Sequence, residues 1–256
     1  MRIALTREVS PAIGRCLLTY LPRVPIDVEL AAAQHSAYRV ALAALGCDVV
    51  VLEADPDAPD AVFIEDTALV VDEVAVVLRP GAEPRQRETP EVAAALAEYR
   101  DIAMIGAPGT VDGGDVLCVG RNVFVGCVAG GRTNSKGVAQ LDAALAPFGY
   151  RVQPVAMRGC LHLKSAVTQV GAATLLVNPR WVDPGAFGGM EFVEVHPDEP
   201  YAANALLVGG TVLYPASHAR TAERLVARGI VPRTVDVSEL EKAEGAVTCC
   251  SVIFEI

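Results

Sequence analysis

The chain ends in VTCCSVIFEI, a strand-like stretch that begins next to two adjacent cysteines, Cys249 and Cys250. Successive side chains of a strand point to opposite faces, so only one of the two thiols can face a given site. A thiolate is a strong nucleophile, an imidazole can move protons beside it, and a carboxylate can orient that imidazole. The sequence offers the two other groups in His162 of LHLKS and in Asp112 and Asp115 of DGGD.

Taken singly, these residues have ordinary structural interpretations. The seven cysteines show no C-x-x-C pair or regular spacing, so they predict neither a disulfide framework nor a structural zinc site. Most of them lie in apolar sequence and are interpreted as small core residues. A lone histidine is more often structural than catalytic, and aspartate in DGGD is a common turn former. A catalytic interpretation therefore requires a fold that brings these groups together.

A repeat in the sequence predicts such a fold. Each of four segments has a polar group, an apolar run, a short turn and a second apolar run, which is typical of a β-hairpin. The segments are EDTALVVDEVAVVLRP from Glu65, GDVLCVGRNVFVGCV from Gly114, KSAVTQVGAATLLVNP from Lys164 and ANALLVGGTVLYPA from Ala203. A fifth copy begins at Cys249 and is cut short, and the N-terminal MRIALTRE can supply its missing strand.

Helix candidates lie between the hairpins. AAAQHSAYRVALAALG ends at Gly46, TPEVAAALAEYR opens with Thr89 as N-cap, and two further segments end at Gly149 and Gly229. A helix, strand and hairpin repeated five times predicts radial repetition around an axis. We therefore predict an α/β fold, a five-bladed β/α propeller of ββαβ repeats, forming a single domain over residues 1–256.

In such a ring, the first residues of the inner strands surround one central channel. The polar residues at these equivalent points are Glu65 and Asp66, Asp112 and Asp115, His162 and Lys164, Asn204, and Cys249 and Cys250. The coincidence of thiol, imidazole and carboxylate at equivalent points of a repeat favours the catalytic interpretation. Cys249 is expected to begin the fifth inner strand and face the channel, with Cys250 pointing into the blade.

The composition limits the partners. The 256 residues carry a formal net charge of −10, and no Lys/Arg-rich stripe exists to bind nucleic acid. The charge suits a small cationic substrate. No apolar run approaches the ~20 residues that span a bilayer, and the N-terminus has no signal-peptide pattern, so neither a membrane nor secretion is predicted. A cytoplasmic enzyme or binding protein is expected.

Seven dispersed motifs resemble one family over nearly the whole chain. They are PDAVFIED (59–66), RPGAEPRQRE (79–88), GTVDGGDVL (109–117), GGRTNSKG (130–137), LHLKS (161–165), YAAN (201–204) and TCCS (248–251). They are similar to those of the dimethylarginine dimethylaminohydrolases, five-bladed propellers of the guanidino-group-modifying, or pentein, superfamily. The resemblance implies hydrolysis of Nω-methylated arginine to citrulline and a methylamine, through a covalent thiouronium, without a metal or organic cofactor.

The resemblance also implies roles for individual residues. Cys249 would be the nucleophile, His162 the general acid and base, and Asp112 the carboxylate that orients His162. Asp66 would hold the guanidinium, Asp60 the α-amino group, and Arg85 with Arg132 the α-carboxylate. The remaining expected substrate contacts are Leu18 in a lid, Glu65, and Ala243, which stands where relatives usually carry a larger apolar residue.

Several alternatives stay open at this point. Arginine deiminases use the same chemistry on unmethylated arginine, but they carry a long helical insertion for which this chain has no room. Agmatine deiminases and amidinotransferases are also longer. A binding module on the same scaffold is the alternative from another class, because fold alone does not give function. A homodimer is a further expectation, since dimers are common among the relatives.

Overall fold

The computed structural model describes residues 1–256, which form fifteen short strands arranged in five sheets of three. The strands are β1 Arg2–Arg7, β2 Cys47–Leu52, β3 Ala68–Val70, β4 Ala75–Val77, β5 Ile102–Met104, β6 Val116–Val119, β7 Asn122–Cys127, β8 Arg151–Ala156, β9 Val167–Gly171, β10 Thr174–Val177, β11 Glu191–Glu194, β12 Leu206–Val208, β13 Thr211–Pro215, β14 Arg233–Val235 and β15 Val252–Glu255. The α-helices are α1 Val28–Ala44, α2 Thr89–Leu96, α3 Ser135–Leu145, α4 Leu163–Ala166, α5 Ala219–Val226 and α6 Ser238–Glu241.

All five sheets share one plan. In four of them a hairpin pairs antiparallel, and the next strand along the chain adds to it in parallel: β3-β4-β5, β6-β7-β8, β9-β10-β11 and β12-β13-β14. The fifth sheet joins the two ends of the chain. There β15 pairs antiparallel with β1, with Arg2 opposite Glu255, and β1 pairs in parallel with β2. The predicted hairpins, and the closure of the ring by MRIALTRE, are confirmed.

The crossover helices follow their capping residues. Asp27 caps α1 by accepting the backbone N–H of Leu30 at 3.0 Å, so the helix starts before the predicted alanine run. Asn134 caps α3 in the same way, and Gly149 ends that segment at a φ of 81°. Thr89 was expected to be an N-cap, but it is the first residue of α2, because the 3₁₀ helix Glu83–Glu88 leads directly into it.

The expectation of a helix in every repeat is wrong for the third unit, whose hairpin begins at Lys164. Between β10 and β11 the chain forms only the 3₁₀ helix Pro184–Ala186. This segment is rich in glycine and proline, which are the poorest residues for an α-helix. The packing that a helix would supply comes from Phe187, which is fully buried and contacts Phe124 with ring centroids 4.8 Å apart.

The largest apolar cluster lies beneath α1 and contains eighteen buried residues, including Cys250 and Val247. Within it the hydroxyl of Tyr38 donates to the carbonyl of Val247 at 2.8 Å and lies 2.7 Å from the hydroxyl of Ser251. Helix α1 therefore supports the back of the segment that carries the two cysteines. Among residues 1–256, none of the helices combines the length and the apolar character that a bilayer crossing requires.

Short helical turns precede three of the inner strands. The 3₁₀ helix Ile64–Thr67 leads into β3, the 3₁₀ helix Gly113–Asp115 leads into β6, and α4 leads into β9. Each turn carries polar residues that the sequence repeat singles out. These turns, rather than the strands themselves, position the candidate site.

Candidate active site

Cys249 and Cys250 face different surroundings, as predicted. Cys249 is partly exposed and lines a cavity, whereas Cys250 is fully buried, with its Sγ 3.4 Å from the carbonyl of Ala246. The reason differs from the prediction, because β15 begins only at Val252 and Cys249 lies in the turn before it. The backbone N–H of Ala246 donates to Cys249 Sγ at 3.4 Å, so the turn supplies a donor to the sulfur.

The surroundings of Cys249 disfavour a thiolate when no ligand is bound. Burial, together with the negative charges of Glu65 and Asp66, raises the pKa of the Cys249 thiol to about 12. The thiol is therefore protonated at neutral pH. A cation bound beside it would reverse this balance, because a neighbouring positive charge favours the thiolate.

Two cavities meet at Cys249. The smaller chamber has a volume of about 30 Å³ and the larger chamber about 200 Å³, and they share Leu161, Glu244, Gly245 and Cys249. Of the predicted site residues, those that line the smaller chamber are Asp60, Asp66, Arg85, Arg132, His162, Ala243 and Cys249. The fold thus brings most of the predicted residues to one enclosed space.

His162 lies between two carboxylates. Its Nε2 is 3.1 Å from Asp112 Oδ2, and its Nδ1 is 3.9 Å from Asp66 Oδ1. Burial opposes protonation of the ring, but the charge of Asp66 and the hydrogen bond to Asp112 raise the pKa of His162 to about 9. The ring is therefore a positively charged imidazolium at neutral pH, with a proton on both nitrogens. It can act as an acid towards a leaving group.

Asp112 has no exposed surface and stands behind His162 rather than in either chamber. The backbone N–H of Gly81 donates to its Oδ1 at 2.6 Å, which leaves Oδ2 for the imidazole. Its own backbone N–H donates to the hydroxyl of Thr133 at 3.1 Å. Asp112 is thus held on both sides, in the position predicted for the residue that orients His162.

Asp115 supports the same histidine from the backbone. Its Oδ1 accepts the N–H of Leu163, the residue after His162, at 3.0 Å, and its Oδ2 accepts the hydroxyl of Thr133 at 2.6 Å. Burial raises the pKa of Asp115 to about 6, with partial relief from the charge of His162. Thr133 was not predicted. The only signal for it was its place in GGRTNSKG, directly after Arg132.

Gly114 of DGGD is more than a turn former. A Cβ on this residue would lie 2.5 Å from His162 Nδ1 and 3.1 Å from Asp66 Oδ1, so any side chain would collide with the imidazole. Its backbone N–H also donates to Asp66 Oδ1 at 2.9 Å. The glycine therefore allows His162 and Asp66 to approach each other closely.

Asp66 is fixed in its charged form by a buried ion-pair network. Arg85 donates to Asp66 through Nη1 and to Glu88 through Nε and Nη2, and the Nη2–Oε2 distance to Glu88 is 2.9 Å. Burial alone would raise the pKa of Asp66, but the charges of His162 and Arg85 lower it to about 2. The carboxylate lines the smaller chamber, where a guanidinium is expected to bind.

The two arginines predicted to bind the α-carboxylate differ in availability. Arg85 also donates to the carbonyls of Asp60 and Phe63, so most of its N–H donors are already occupied. Arg132 is more open: its Nη2 lies 3.4 Å from the Thr19 hydroxyl, and its Nη1 is 4.0 Å from Asp112 Oδ2. In this geometry Arg132 presents the free guanidinium, whereas Arg85 serves mainly as the counter-ion of Asp66.

Glu65 does not open into either chamber, which corrects the expectation of a substrate contact. One carboxylate oxygen pairs with Lys164 Nζ at 2.6 Å, and the other accepts the hydroxyl of Thr248 at 2.8 Å. That hydroxyl also accepts a hydrogen bond from the amide of Asn204 at 3.0 Å. Because Glu65 and Asp66 are adjacent on a 3₁₀ turn, their side chains point in different directions. Glu65 instead anchors the residue before Cys249.

The expected lid residue is displaced by one position. Leu17, not Leu18, lines the smaller chamber, while Leu18 packs against the apolar cluster beneath α1. The backbone N–H of Leu17 donates to the carboxylate of Asp60 at 3.0 Å. Asp60 is therefore in the predicted chamber, and in this state it also holds the lid segment.

Glu244 holds the same segment further along and was not predicted. Its carboxylate accepts the backbone N–H groups of Thr19, Tyr20 and Leu21, the first at 3.0 Å. Glu244 has a φ of 61° and is the one non-glycine residue of the chain with a positive φ, a conformation that costs energy. We call residues 17–21 the strap, because they form part of the wall of both chambers.

One group of side chains has the donor types of a cation site. Ligand atoms of Asp66, Asp112 and His162 lie within 4.8 Å of one another. In this structure, however, the hydrogen bonds and ion pairs described above already use these atoms.

The site at the centre of the five sheets thus combines a thiol, an imidazole and carboxylates, the groups that the family resemblance implies. No family model matches the chain. Two curated sequences, both named N(G),N(G)-dimethylarginine dimethylaminohydrolase, match over most of the chain. The protein from Streptomyces coelicolor is 43% identical over 97% of this chain and 95% of its own length. The protein from Pseudomonas aeruginosa is 35% identical over 89% and 90%.

Solved structures agree with these sequences. The Pseudomonas aeruginosa dimethylarginine dimethylaminohydrolase, as a variant complexed with citrulline, has a TM-score of 0.93 and 32% identity, covering 98% of each chain. A dimethylarginine dimethylaminohydrolase variant, as an adduct with S-methyl-L-thiocitrulline, has a TM-score of 0.92 and covers 99% of this chain and all of the other. The chain therefore belongs to the dimethylarginine dimethylaminohydrolase family.

Proposed function

We propose that this protein hydrolyses Nω-methylated arginine to citrulline and a methylamine. The observation that carries the proposal is the junction of Cys249 with a chamber that holds a protonated His162 and an ionised Asp66. A guanidinium carbon is deactivated by resonance, so its hydrolysis needs a strong nucleophile, a carboxylate for the planar cation and an acid for the departing amine. These three groups line one chamber.

The substrate would bind with its guanidinium on Asp66 and its amino-acid end near the strap. Asp60 accepts the α-amino group, and the more open Arg132 binds the α-carboxylate. Arg85 adds a second positive charge nearby while keeping Asp66 in place. Ala243 leaves space beside the substrate chain, since it is a small residue in the wall of the smaller chamber.

The chemistry then follows from the protonation states. The cationic substrate lowers the pKa of the Cys249 thiol, which releases its proton to water, and the thiolate formed attacks the guanidinium carbon. The imidazolium of His162 gives its proton to the methylated nitrogen, the C–N bond breaks, and a thiouronium remains on Cys249. Neutral His162 then takes a proton from the attacking water, the C–S bond breaks, and citrulline forms. Asp112 holds the imidazole throughout.

Product analysis tests this proposal. The protein is incubated separately with asymmetric dimethylarginine, monomethylarginine and arginine, and citrulline and the released amines are measured by mass spectrometry. We expect citrulline with dimethylamine and with methylamine from the first two substrates, and little ammonia from arginine. Cys249→Ser protein is the control. Citrulline from arginine alone would instead indicate a deiminase, and no product from any substrate would refute the proposal.

Further expectations accompany this proposal. We propose that residues 1–256 form one domain, because the fifth sheet joins the first and last strands of the chain. A homodimer and a cytoplasmic location stay predictions. Sedimentation of the purified protein checks the first of these, and cell fractionation checks the second.

A further inference from the structure

The larger chamber lies outside the part of the site that the predicted amino-acid contacts occupy. Asp60 and Arg132 line only the smaller chamber, and the two chambers meet at Cys249. With the guanidino carbon of a substrate at the sulfur, the larger chamber is the space next to that carbon beyond the smaller chamber, because both chambers are lined by Cys249. It therefore adjoins the place where the C–N bond breaks.

The lining of the larger chamber suits a small, partly apolar cation. Tyr20 and Tyr201 contribute aromatic rings, Glu241 and Glu244 contribute carboxylates, and no lysine or arginine lines it. The ring of Tyr201 packs edge-on against that of Trp181, with centroids 5.0 Å apart, which fixes its orientation. Aromatic faces beside carboxylates attract alkylammonium ions by cation–π and charge interactions.

His218 also lines this chamber, 3.7 Å from Glu241, but it does not cancel the negative charge. Burial lowers the pKa of His218, so its imidazole is neutral at neutral pH. The hydroxyl of Ser217 donates to Glu241 Oε1 at 2.6 Å, which orients the carboxylate without adding charge. The lining of the chamber therefore places no cationic side chain against the Glu241 carboxylate.

We propose that the larger chamber binds the methylated amine released by the reaction, as an alkylammonium ion held between Tyr20, Tyr201 and Glu241. The inference rests on the proposed function. When His162 protonates the leaving nitrogen and the C–N bond breaks, the amine departs neutral. It then takes a second proton from water, because alkylamines have pKa values close to that of lysine, about 10.4.

This second protonation has a chemical consequence. An alkylammonium ion has no lone pair, so it cannot attack the thiouronium on Cys249 and reverse the first half of the reaction. A chamber that favours the ammonium therefore keeps the amine from returning while water reaches the same carbon. Both products can then be bound at once, citrulline in the smaller chamber and the ammonium in the larger.

The test measures occupancy of the larger chamber without turnover. The purified protein is titrated with dimethylammonium chloride, and binding is followed by isothermal titration calorimetry. Sodium chloride at equal ionic strength and isopropanol, a neutral molecule of similar size, are the controls. We expect saturable binding of dimethylammonium, and no saturable heat from either control.

Variants assign the binding to one chamber. In Glu241→Gln and Tyr201→Leu we expect the dissociation constant for dimethylammonium to rise about fivefold to tenfold, as for loss of a charge or cation–π contact. Asp60→Asn, in the smaller chamber, should keep the wild-type value. Glu241→Gln preserves the size of the side chain, and Tyr201 is 41% exposed, so both variants are expected to fold; melting curves check this.

The outcomes separate this inference from the proposed function. Binding that is unchanged in both Glu241→Gln and Tyr201→Leu, or that is lost in Asp60→Asn alone, would overturn the assignment to the larger chamber. Absence of any binding would do the same. Absence of citrulline from every methylarginine would instead refute the proposed function, and it would leave the titration result standing as a measured binding site for an ammonium ion.

Discussion

The two chambers that meet at Cys249 are built from different chemistry. The smaller chamber is surrounded by buried ionised groups, each with a partner: Asp66 with Arg85, Arg85 with Glu88, and His162 with Asp112. The larger chamber is lined by two tyrosines that are each more than 40% exposed and by few charged groups. One side of the sulfur is therefore preorganised and the other side is open.

The difference follows from the cost of burying charge. A buried ion is tolerated only when partners and hydrogen bonds replace its hydration, so the groups of the smaller chamber fix one another in place. Such rigidity suits the recognition of a planar cation and the timing of proton transfer. The larger chamber holds no comparable network, which suits a product that must leave. The predictions below test this division, starting with the residue shared by both chambers.

The largest effect is expected at the two adjacent cysteines. Cys249→Ser should lower turnover of methylarginine by roughly a thousandfold or more, because a serine hydroxyl is not ionised in this environment. Cys250→Ser should keep most activity but lower the melting temperature, since it places a hydroxyl in the apolar cluster beneath α1. Steady-state assays and melting curves check both variants. Full activity in Cys249→Ser would contradict the assignment of the nucleophile.

The next effect concerns the proton on His162. Asp112→Asn should lower kcat by roughly a hundredfold to ten-thousandfold, because the imidazole loses the partner that orients and charges it. In the wild type the acid form of His162 is lost as pH rises through about 9, so kcat should fall above that pH. In Asp112→Asn the pKa of His162 falls, and this alkaline limb should move to lower pH. If the alkaline limb of the kcat profile did not move in Asp112→Asn, Asp112 would not be a residue that raises the pKa of His162.

The raised pKa of His162 also predicts how the free energy of unfolding depends on pH. The folded-state pKa of His162 is raised above its unfolded value of about 6.5, so its stabilising contribution is complete below pH 6.5 and is lost as pH rises through about 9. Asp112→Asn removes the part of that contribution that comes from Asp112, while the charge of Asp66 keeps the rest. Chemical denaturation at several pH values should therefore show the largest difference between wild type and variant near pH 6.5, and a smaller one above pH 9. A difference that grows with pH would contradict the sign of the shift.

The sequence predicted the smaller chamber better than the larger. The repeat places Asp66, Asp112 and His162 at equivalent starts of inner strands, so the geometry of the ring alone brings them together. The meeting of these three groups is a feature that radial repetition determines, and it needs no knowledge of loop packing. Strand periodicity also predicted different surroundings for Cys249 and Cys250, but the turn before β15 is what separates them.

What the sequence did not predict depends on contacts between distant loops. Glu244 binds the strap across 225 residues of chain, and no local pattern marks that pairing. The one-residue shift from Leu18 to Leu17 has the same origin, because the strap has no periodicity that assigns its faces. The error at Glu65 comes from treating two adjacent acids as equivalent, although a 3₁₀ turn points them apart.

Substitutions of Arg132 and Arg85 are expected to have smaller effects on kinetics. They distinguish the roles of the two arginines that line the smaller chamber. Arg132→Ala should raise KM for methylarginine about tenfold to a hundredfold with little change in kcat, because a charge-assisted contact made equally in ground and transition states is lost. Arg85→Ala should also lower kcat, since it leaves Asp66 and Glu88 as unpaired buried acids. Initial-rate kinetics separate the two patterns. If both substitutions raised KM equally and left kcat unchanged, the guanidinium of Arg85 would be as available to the substrate as that of Arg132.

The smallest effect is expected at Glu244, which ties the strap across both chambers. Glu244→Gly removes the carboxylate but tolerates the φ of 61°, so it isolates the loss of the three backbone contacts from backbone strain. Because water replaces part of those contacts, KM should rise only about threefold to tenfold, with a small change in kcat. The freed strap should be cleaved faster by trypsin at Arg15 and Arg23, and Cys249 should be alkylated faster. Glu244→Gln keeps an acceptor oxygen and should recover part of the protection. If trypsin cleaved Glu244→Gly and the wild type at equal rates, the strap would be held by Asp60 and by side-chain packing instead, and the smaller chamber alone would control its closure.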